Sequence, residues 1–246
     1  MLSVCRLFGY ISRRPLSPSF AFYSGDVNLH TLSRIHGDGW GIAWTSNAGW
    51  ELYKEPVALH ASAEAKRVVQ GVRSMLVIAH VRKASPEYGV VGYANTHPFV
   101  SDGWAFAHNG TIRPYDRLRG LLGERASLLQ GATDSEAFFQ LLLKRIEEAG
   151  SAVSGILAAV SDLEGFDYTS LNFLLSDGSH LYALNKFRSG DEEYFTLHMG
   201  RFMIEGVELV AVAFQPVGGL EGWVKVGNGK LLVVDRTLTP TVYQVP

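Results

Sequence analysis

The sequence is poorest in cysteine: Cys5 is the one thiol among 246 residues. A single cysteine cannot build an internal disulfide framework, and it excludes zinc sites made of several thiolates. It suits a reducing cytoplasm, which is the compartment expected. An excess of charge is missing too. The formal net charge is −2, charged residues make up 19%, and Lys and Arg form no run. Nothing in that balance draws the chain to phosphate backbones or anionic membranes, so neither nucleic acid nor membrane is an expected partner. No apolar run approaches the roughly 20 residues of a membrane span. Met1 to Phe20 carries Arg6, Arg13 and Arg14 among scattered apolar residues and lacks the continuous apolar stretch of a secretory signal. Repeats, low-complexity stretches and linker-like breaks are absent as well, so residues 1–246 read as one domain.

What is present is apolar material for a sizeable core, 47% of the residues. Val27 to Ile35 reads as a short helix. Gly39 to Thr45 and Trp50 to Lys54 read as strands joined by a turn at Ser46-Asn47-Ala48-Gly49. Ser62 to Arg73 has helical spacing, Ser74 to Val81 is a buried strand, Ser85 to Phe99 is loop, and Trp104 to His108 is again strand. Helices follow over Tyr115 to Leu122, from Thr133 or Asp134 to Ala149, and over Ala152 to Val160. Strands return at Leu171 to Leu175, His180 to Asn185, Tyr194 to Met199, Val207 to Phe214 and Leu231 to Val234. Strands, then helices, then strands disfavour βαβ alternation and predict an α+β domain with helices covering sheets.

Several segments hold residue types that acyl-transfer chemistry uses. Cys5 stands in Cys-Arg-Leu-Phe-Gly-Tyr. A lone cysteine is more often a small buried hydrophobe than a nucleophile. Its place near the chain start, and the partners supplied elsewhere, favour the nucleophile. Ala107-His108-Asn109-Gly110-Thr111 ends a strand. It reads equally as an Asn-Gly turn or as two donors, the Asn109 amide and the Gly110 N–H, for a tetrahedral oxyanion. Arg82, in Ala79-His80-Val81-Arg82-Lys83-Ala84-Ser85, is either a surface residue or a bidentate clamp for a carboxylate. Asp134, in Ala132-Thr133-Asp134-Ser135-Glu136, is either a helix cap or a partner for an ammonium group.

His36-Gly37-Asp38-Gly39-Trp40-Gly41 sets three glycines around an aromatic, as a site wall would. Its spacing fits no dinucleotide loop, and it lacks the Gly-Lys-Ser/Thr of a phosphate loop. Asn95-Thr96-His97-Pro98-Phe99 is a loop suited to walling a pocket. His36, His80, His97 and His108 match no helix-borne zinc motif, so no metal is expected, and no other cofactor.

In this order, Cys-Arg-Leu-Phe-Gly, His-Gly-Asp-Gly-Trp-Gly, Ala-His-Val-Arg-Lys-Ala, Asn-Thr-His-Pro-Phe, Ala-His-Asn-Gly-Thr and Thr-Asp-Ser-Glu resemble the class II glutamine amidotransferases, amidohydrolases of the N-terminal-nucleophile superfamily. Each motif is weak alone, and six in sequence across nearly the whole chain are strong. They are most similar to the stand-alone branch, which lacks an attached synthase domain and includes hydrolases of γ-glutamyl compounds. The resemblance implies a four-layer αββα sandwich. It implies that Cys5 attacks the γ-carboxamide carbon, that its free α-amine acts as base, and that Asn109 and Gly110 form the oxyanion hole. Arg82 would bind the substrate α-carboxylate and Asp134 its α-amino group, with Trp40 and His97 lining the pocket. The expected substrate is glutamine or a γ-glutamyl small molecule, and the ammonia would go to a separate synthase or be released. A catalytically silent domain that binds a ligand or partner is the non-enzymatic alternative. Neither the oligomeric state nor the ammonia acceptor is legible.

Three departures stand out. Ser85 and Pro86 follow the Arg-Lys-Ala run where relatives often show Thr and a polar residue. Phe214-Gln215-Pro216 stands where a Ser-Glu-Pro-like turn is expected. Met1-Leu2-Ser3-Val4 precede Cys5, whose nitrogen is then an amide and no base. Either these residues are cleaved off, or translation begins at a GTG codon for Val4 and methionine removal leaves Cys5 first. The second route is preferred, because four featureless residues make a poor propeptide.

Overall fold

The computed structural model describes residues 5–84, 91–188 and 192–246. Met1 to Val4, Ser85 and Pro86 lie outside them, so the expectations about the leading residues and the Ser85-Pro86 departure fall outside the described residues. In chain order the elements are β1 (Arg6–Leu16), α1 (Ser19–Tyr23), α2 (Leu29–Leu32), β2 (Trp40–Ser46), β3 (Gly49–Glu55), α3 (Ala65–Gly71) and β4 (Ser74–Val81). Then come β5 (Phe99–Ser101), β6 (Trp104–Asn109), β7 (Ile112–Arg113), α4 (Tyr115–Gly120), α5 (Asp134–Ala149) and α6 (Ala152–Asp162). The last part holds β8 (Asp167–Tyr168), β9 (Asn172–Ser176), β10 (Leu181–Asn185), α7 (Glu192–Phe195), β11 (His198–Ile204), β12 (Val207–Ala213), β13 (Val224–Lys225), β14 (Lys230–Val234) and β15 (Pro240–Gln244).

Two antiparallel sheets face each other. The first runs β13-β11-β12-β1-β4-β2-β3, the second β15-β14-β10-β9-β6-β5. The alternation of side chains along each strand divides the core into three layers. Phe8, Tyr10, Trp40, Ile42, Val77 and Ala79 face outward from the first sheet to α1 and α3. Leu7, Ile11, Ala43, Leu76 and Ile78 face inward against Ala105, Ala107, Leu174 and Leu181 of the second sheet. Phe106, Phe173 and Leu175 face outward again, against Phe138, Leu142 and Ile156 of α5 and α6. The result is helix, sheet, sheet, helix: the αββα sandwich that the family resemblance implies, and an α+β domain as the element order predicts.

Glycine sets how closely these layers approach. A β-carbon on Gly9 would lie 2.9 Å from the Val77 carbonyl and 3.0 Å from a Leu174 methyl, so β1 can pass under the second sheet only without one. Gly155 does the same in the helix layer, where a β-carbon would penetrate the backbone of Ile146 in α5.

Most predicted elements appear within a residue or two. β4 has the predicted bounds, and Thr133 caps α5, its hydroxyl accepting from Glu136 N. One segment is corrected. Tyr194 to Met199 is not one strand, because Glu192–Phe195 forms a helical turn closed by Thr196 N on Glu192 O at 3.2 Å, and β11 starts only at His198. β1, α1 and β15 carry no expectation from the sequence. β1 holds Gly9, two exposed arginines and Pro15 and shows no clean alternation. Its strand character comes from pairing with β4 and β12 on both sides.

Candidate active site

Cys5 immediately precedes β1 and is half-buried. Its thiol lies against the backbone just beyond β4, donating to Lys83 O and accepting from Lys83 N, each at 3.1 Å. Burial pushes the thiol pKa up, while the Lys83 N–H and the nearby charges of Arg82 and Arg6 pull it down. The Lys83-Ala84 backbone is itself held. The Asp38 carboxylate accepts from Ala84 N at 2.9 Å and pairs with the Lys83 ammonium at 3.6 Å. Asp38 N donates to Arg82 O, and Arg82 N to Gly39 O. The Asp38-Gly39 stretch is therefore an anchor for the turn that meets the thiol. The glycine-aromatic pattern of this motif suggests only a wall; the job of Asp38, in the middle of it, is visible in the backbone it holds.

Asn109 comes from the other sheet, at the end of β6. Its side-chain amide donates to Cys5 O at 2.8 Å, joining the thiol's residue to the second sheet across 104 positions. Asn109 O accepts from Ser170 Oγ at 2.6 Å. Gly110 follows against the Ser170 backbone so closely that a β-carbon would overlap the Ser170 carbonyl oxygen. Glycine is therefore required by space. His108 underpins the turn. Its Nε2 meets Ser170 O at 3.3 Å, and because a carbonyl can only accept, Nε2 carries the proton. Burial lowers the pKa of His108 to about 4, so the ring is neutral near pH 7 and Nδ1 accepts from Ser135 Oγ at 2.9 Å.

Arg82 extends from the end of β4 and is buried, at 4% exposure. The acidic groups around its guanidinium are those of Cys5, Asp38 and Asp134. Asp134 is the first residue of α5, where the free backbone N–H groups and the helix dipole favour a carboxylate. One of its oxygens accepts from Ile112 N at 2.7 Å. Burial nevertheless outweighs those bonds and pushes its pKa up to about 7. The thiol, the Asn109–Gly110 turn, the guanidinium and the carboxylate thus come from four places in the chain.

Two predicted residues are placed differently. Trp40 is fully buried in the outer core of the first sheet, beside Phe22 and Tyr53, with its indole N–H on Glu55 at 3.0 Å. It pairs with Val81, so it points to the helix layer, away from the sheet face that carries His80. The expected pocket-lining role is corrected accordingly: an even-numbered position on β2 cannot reach that face. The glycine beside it matters more, since a β-carbon on Gly41 would strike the His97 carbonyl. His97 is buried between the sheets, with its ring 4.4 Å from His80 and 4.5 Å from Phe99. Burial and the neighbouring positive charges hold both His80 and His97 well below the usual histidine range, so both rings are neutral. Gln215, the unexpected residue of the Phe-Gln-Pro turn, accepts from Arg6 Nε at 3.1 Å.

Residues 4–242 match the family model of the class II glutamine amidotransferases. The chain belongs to that family. An uncharacterized protein of Methanocaldococcus jannaschii is 32% identical, over 94% of this chain and 69% of its own length. YafJ of Escherichia coli, named as a glutamine amidotransferase, is 29% identical over 92% of this chain and 96% of its own. Among solved structures, a glutamine aminotransferase class-II domain protein from Silicibacter pomeroyi superposes with a TM-score of 0.70 at 20% identity, covering 98% of this chain and 99% of that one. The allosteric regulatory enzyme of purine biosynthesis gives a TM-score of 0.74 over 49% of its length. At 20% identity these two structures speak for the fold alone. The amidotransferase fold is thus found both as nearly a whole chain and as half of a larger one. Among the described residues, no helix of this amidotransferase is long and apolar enough to cross a membrane.

Proposed function

We propose that this amidotransferase hydrolyses the γ-carboxamide of glutamine, or the amide of a γ-glutamyl small molecule, with Cys5 as nucleophile. The observation that carries the reading is the bond from the Asn109 amide to Cys5 O, which sets the chain's sole thiol at the junction of the two sheets beside an asparagine-glycine turn. In the proposed reaction the Cys5 thiolate forms a bond to the amide carbon. Asn109 and the Gly110 N–H stabilise the resulting oxyanion. The C–N bond then breaks, ammonia or an amine leaves with a proton returned by the α-amine of Cys5, and water hydrolyses the thioester to glutamate and free thiol. Arg82 holds the α-carboxylate and Asp134 the α-ammonium group. A separate synthase would take the ammonia where it is not simply released. The reading treats residues 5–246 as one catalytic domain, with Met1 to Val4 absent from the active form.

The test is Cys5→Ala, assayed with glutamine and with γ-glutamyl dipeptides. No other thiol can substitute, so the activity should fall by orders of magnitude while the fold persists. Retention of more than a few per cent of either activity would remove Cys5 from the mechanism. The ratio of the two activities in the unaltered protein tells which substrate class is preferred.

A further inference from the structure

Asp134 reaches its place through an apparatus lying outside the candidate active site. Lys54, on β3, is buried, and its ammonium donates to Thr96 O at 2.8 Å. It also lies over the rings of Tyr93, at 4.7 Å, and Phe99, at 5.2 Å. Thr96 closes the turn 92–96 on itself, its hydroxyl donating to Gly92 O at 2.8 Å. In that turn Asn95 presents its side-chain oxygen to Ala132 N at 2.9 Å. The next two amides back, Gln130 N and Gly131 N, donate to the Glu136 carboxylate at 2.8 and 2.7 Å. Gly131 has no room for a side chain, since a β-carbon there would run into the Asn95 oxygen. Lys54 and Glu136 attract each other across the small cavity that they line with Tyr93, Phe99 and Gln140.

A buried ammonium is costly unless well partnered. Burial here does lower the Lys54 pKa, to about 8. A methionine would fill the same volume without that cost, so the charge has a use besides packing. Two of its partners lead to the segment that delivers Asp134 to the helix start: Thr96, through the turn it shares with Asn95, and Glu136, whose carboxylate holds Gln130 N and Gly131 N.

We propose that Lys54 is a positioning residue for substrate recognition: acting through Thr96 and Asn95, it braces the 130–133 segment and thereby sets the Asp134 carboxylate where it meets the substrate's α-ammonium group. The proposal rests on the reading of Asp134 given above, and its test separates the two. Lys54→Met, which keeps the stem and removes the charge, is compared with Lys54→Arg, which keeps a donor. Two readouts are taken. The first is amide hydrogen exchange across residues 130–134, which needs no activity. The second is the ratio of kcat/KM for glutamine to that for its des-amino analogue, 4-carbamoylbutanoate.

Lys54→Met should speed exchange at Gly131 and Ala132. It should also collapse the glutamine preference about 10-fold, by losing glutamine turnover while leaving the des-amino analogue nearly unchanged. Lys54→Arg should restore part of both. A merely structural role would lower both substrates together and leave the ratio alone. Unchanged exchange overturns the brace. Faster exchange with an intact ratio overturns its link to substrate recognition. An unaltered protein with no preference for glutamine over the analogue overturns the Asp134 assignment, and exchange still judges the brace.

Discussion

Asp134 is a carboxylate kept at a cost. Four of the surrounding interactions, among them the Ile112 N–H and the charge of Arg113, favour its ionised form, yet burial dominates and its pKa stands at about 7 against an ordinary 3.8. In the free protein it is therefore neutral in mild acid and cannot pair with an ammonium group. We expect kcat/KM for glutamine to fall as pH drops through about 7, and Asp134→Asn to lose that limb along with most of the high-pH activity. The linkage sign gives a second outcome. A raised pKa contributes stability that is full below 3.8 and is lost as pH rises through about 7. Asp134→Asn should therefore be at least as stable as the parent at pH 8 and lose that advantage at pH 4. Chemical denaturation at the two pH values, beside the pH profile, checks both; a retained acid limb in the Asn variant would place its origin elsewhere.

Among the elements, those that hold the candidate site are the two sheets, and glycine governs their approach to their neighbours. α5 carries Asp134 at its start, and its long axis is fixed by packing on α6 through Gly155. A β-carbon there would enter the Ile146 backbone, so the helices must separate or the substitution must strain them. Gly155→Leu should cost about 1–3 kcal/mol by overpacking, and the melting temperature of a chain this size should fall by several degrees. Thermal unfolding measures it, and an unchanged Tm would mean that the α5–α6 contact opens without cost. Several elements were legible because they carry local signals. β4, Ser74–Val81, carries an unbroken apolar run from Met75 to Ala79, and α5 starts on Thr133-Asp134 and ends on Gly150 in a left-handed conformation. β1 was not legible. Its interior glycine, exposed Arg13 and Arg14, and Pro15 argue locally against a strand, and only the neighbouring strands on both sides overrule them.

At the scale of the whole molecule, the proposed mechanism asks for a free amine on Cys5, whose ordinary pKa near 8 suits a base at neutral pH. The protein made in its native host should therefore begin at Cys5. A recombinant chain that keeps Met1 to Val4 should be inactive towards glutamine. Intact mass together with the activity of both forms decides it; full activity in a chain shown to retain all four residues would exclude the α-amine as base.

The sequence by itself determined the family, because ordered short motifs are local and survive without knowledge of their contacts. It determined the α+β class, because hydrophobic period and caps are local too. It also identified Cys5, Arg82, Asn109, Gly110 and Asp134 as candidates, since each residue type has a chemistry of its own. Only the tertiary structure decided which candidates share a site. Trp40 and His80 lie on neighbouring strands, but the two-residue period of a strand sends them to opposite faces of the sheet, a parity that depends on register and not on composition. Only the fold showed the anchor at Asp38 and the contact of Lys54 with the turn 92–96. Their partners are backbone carbonyls and amides, which every residue carries, so no sequence pattern could point to them.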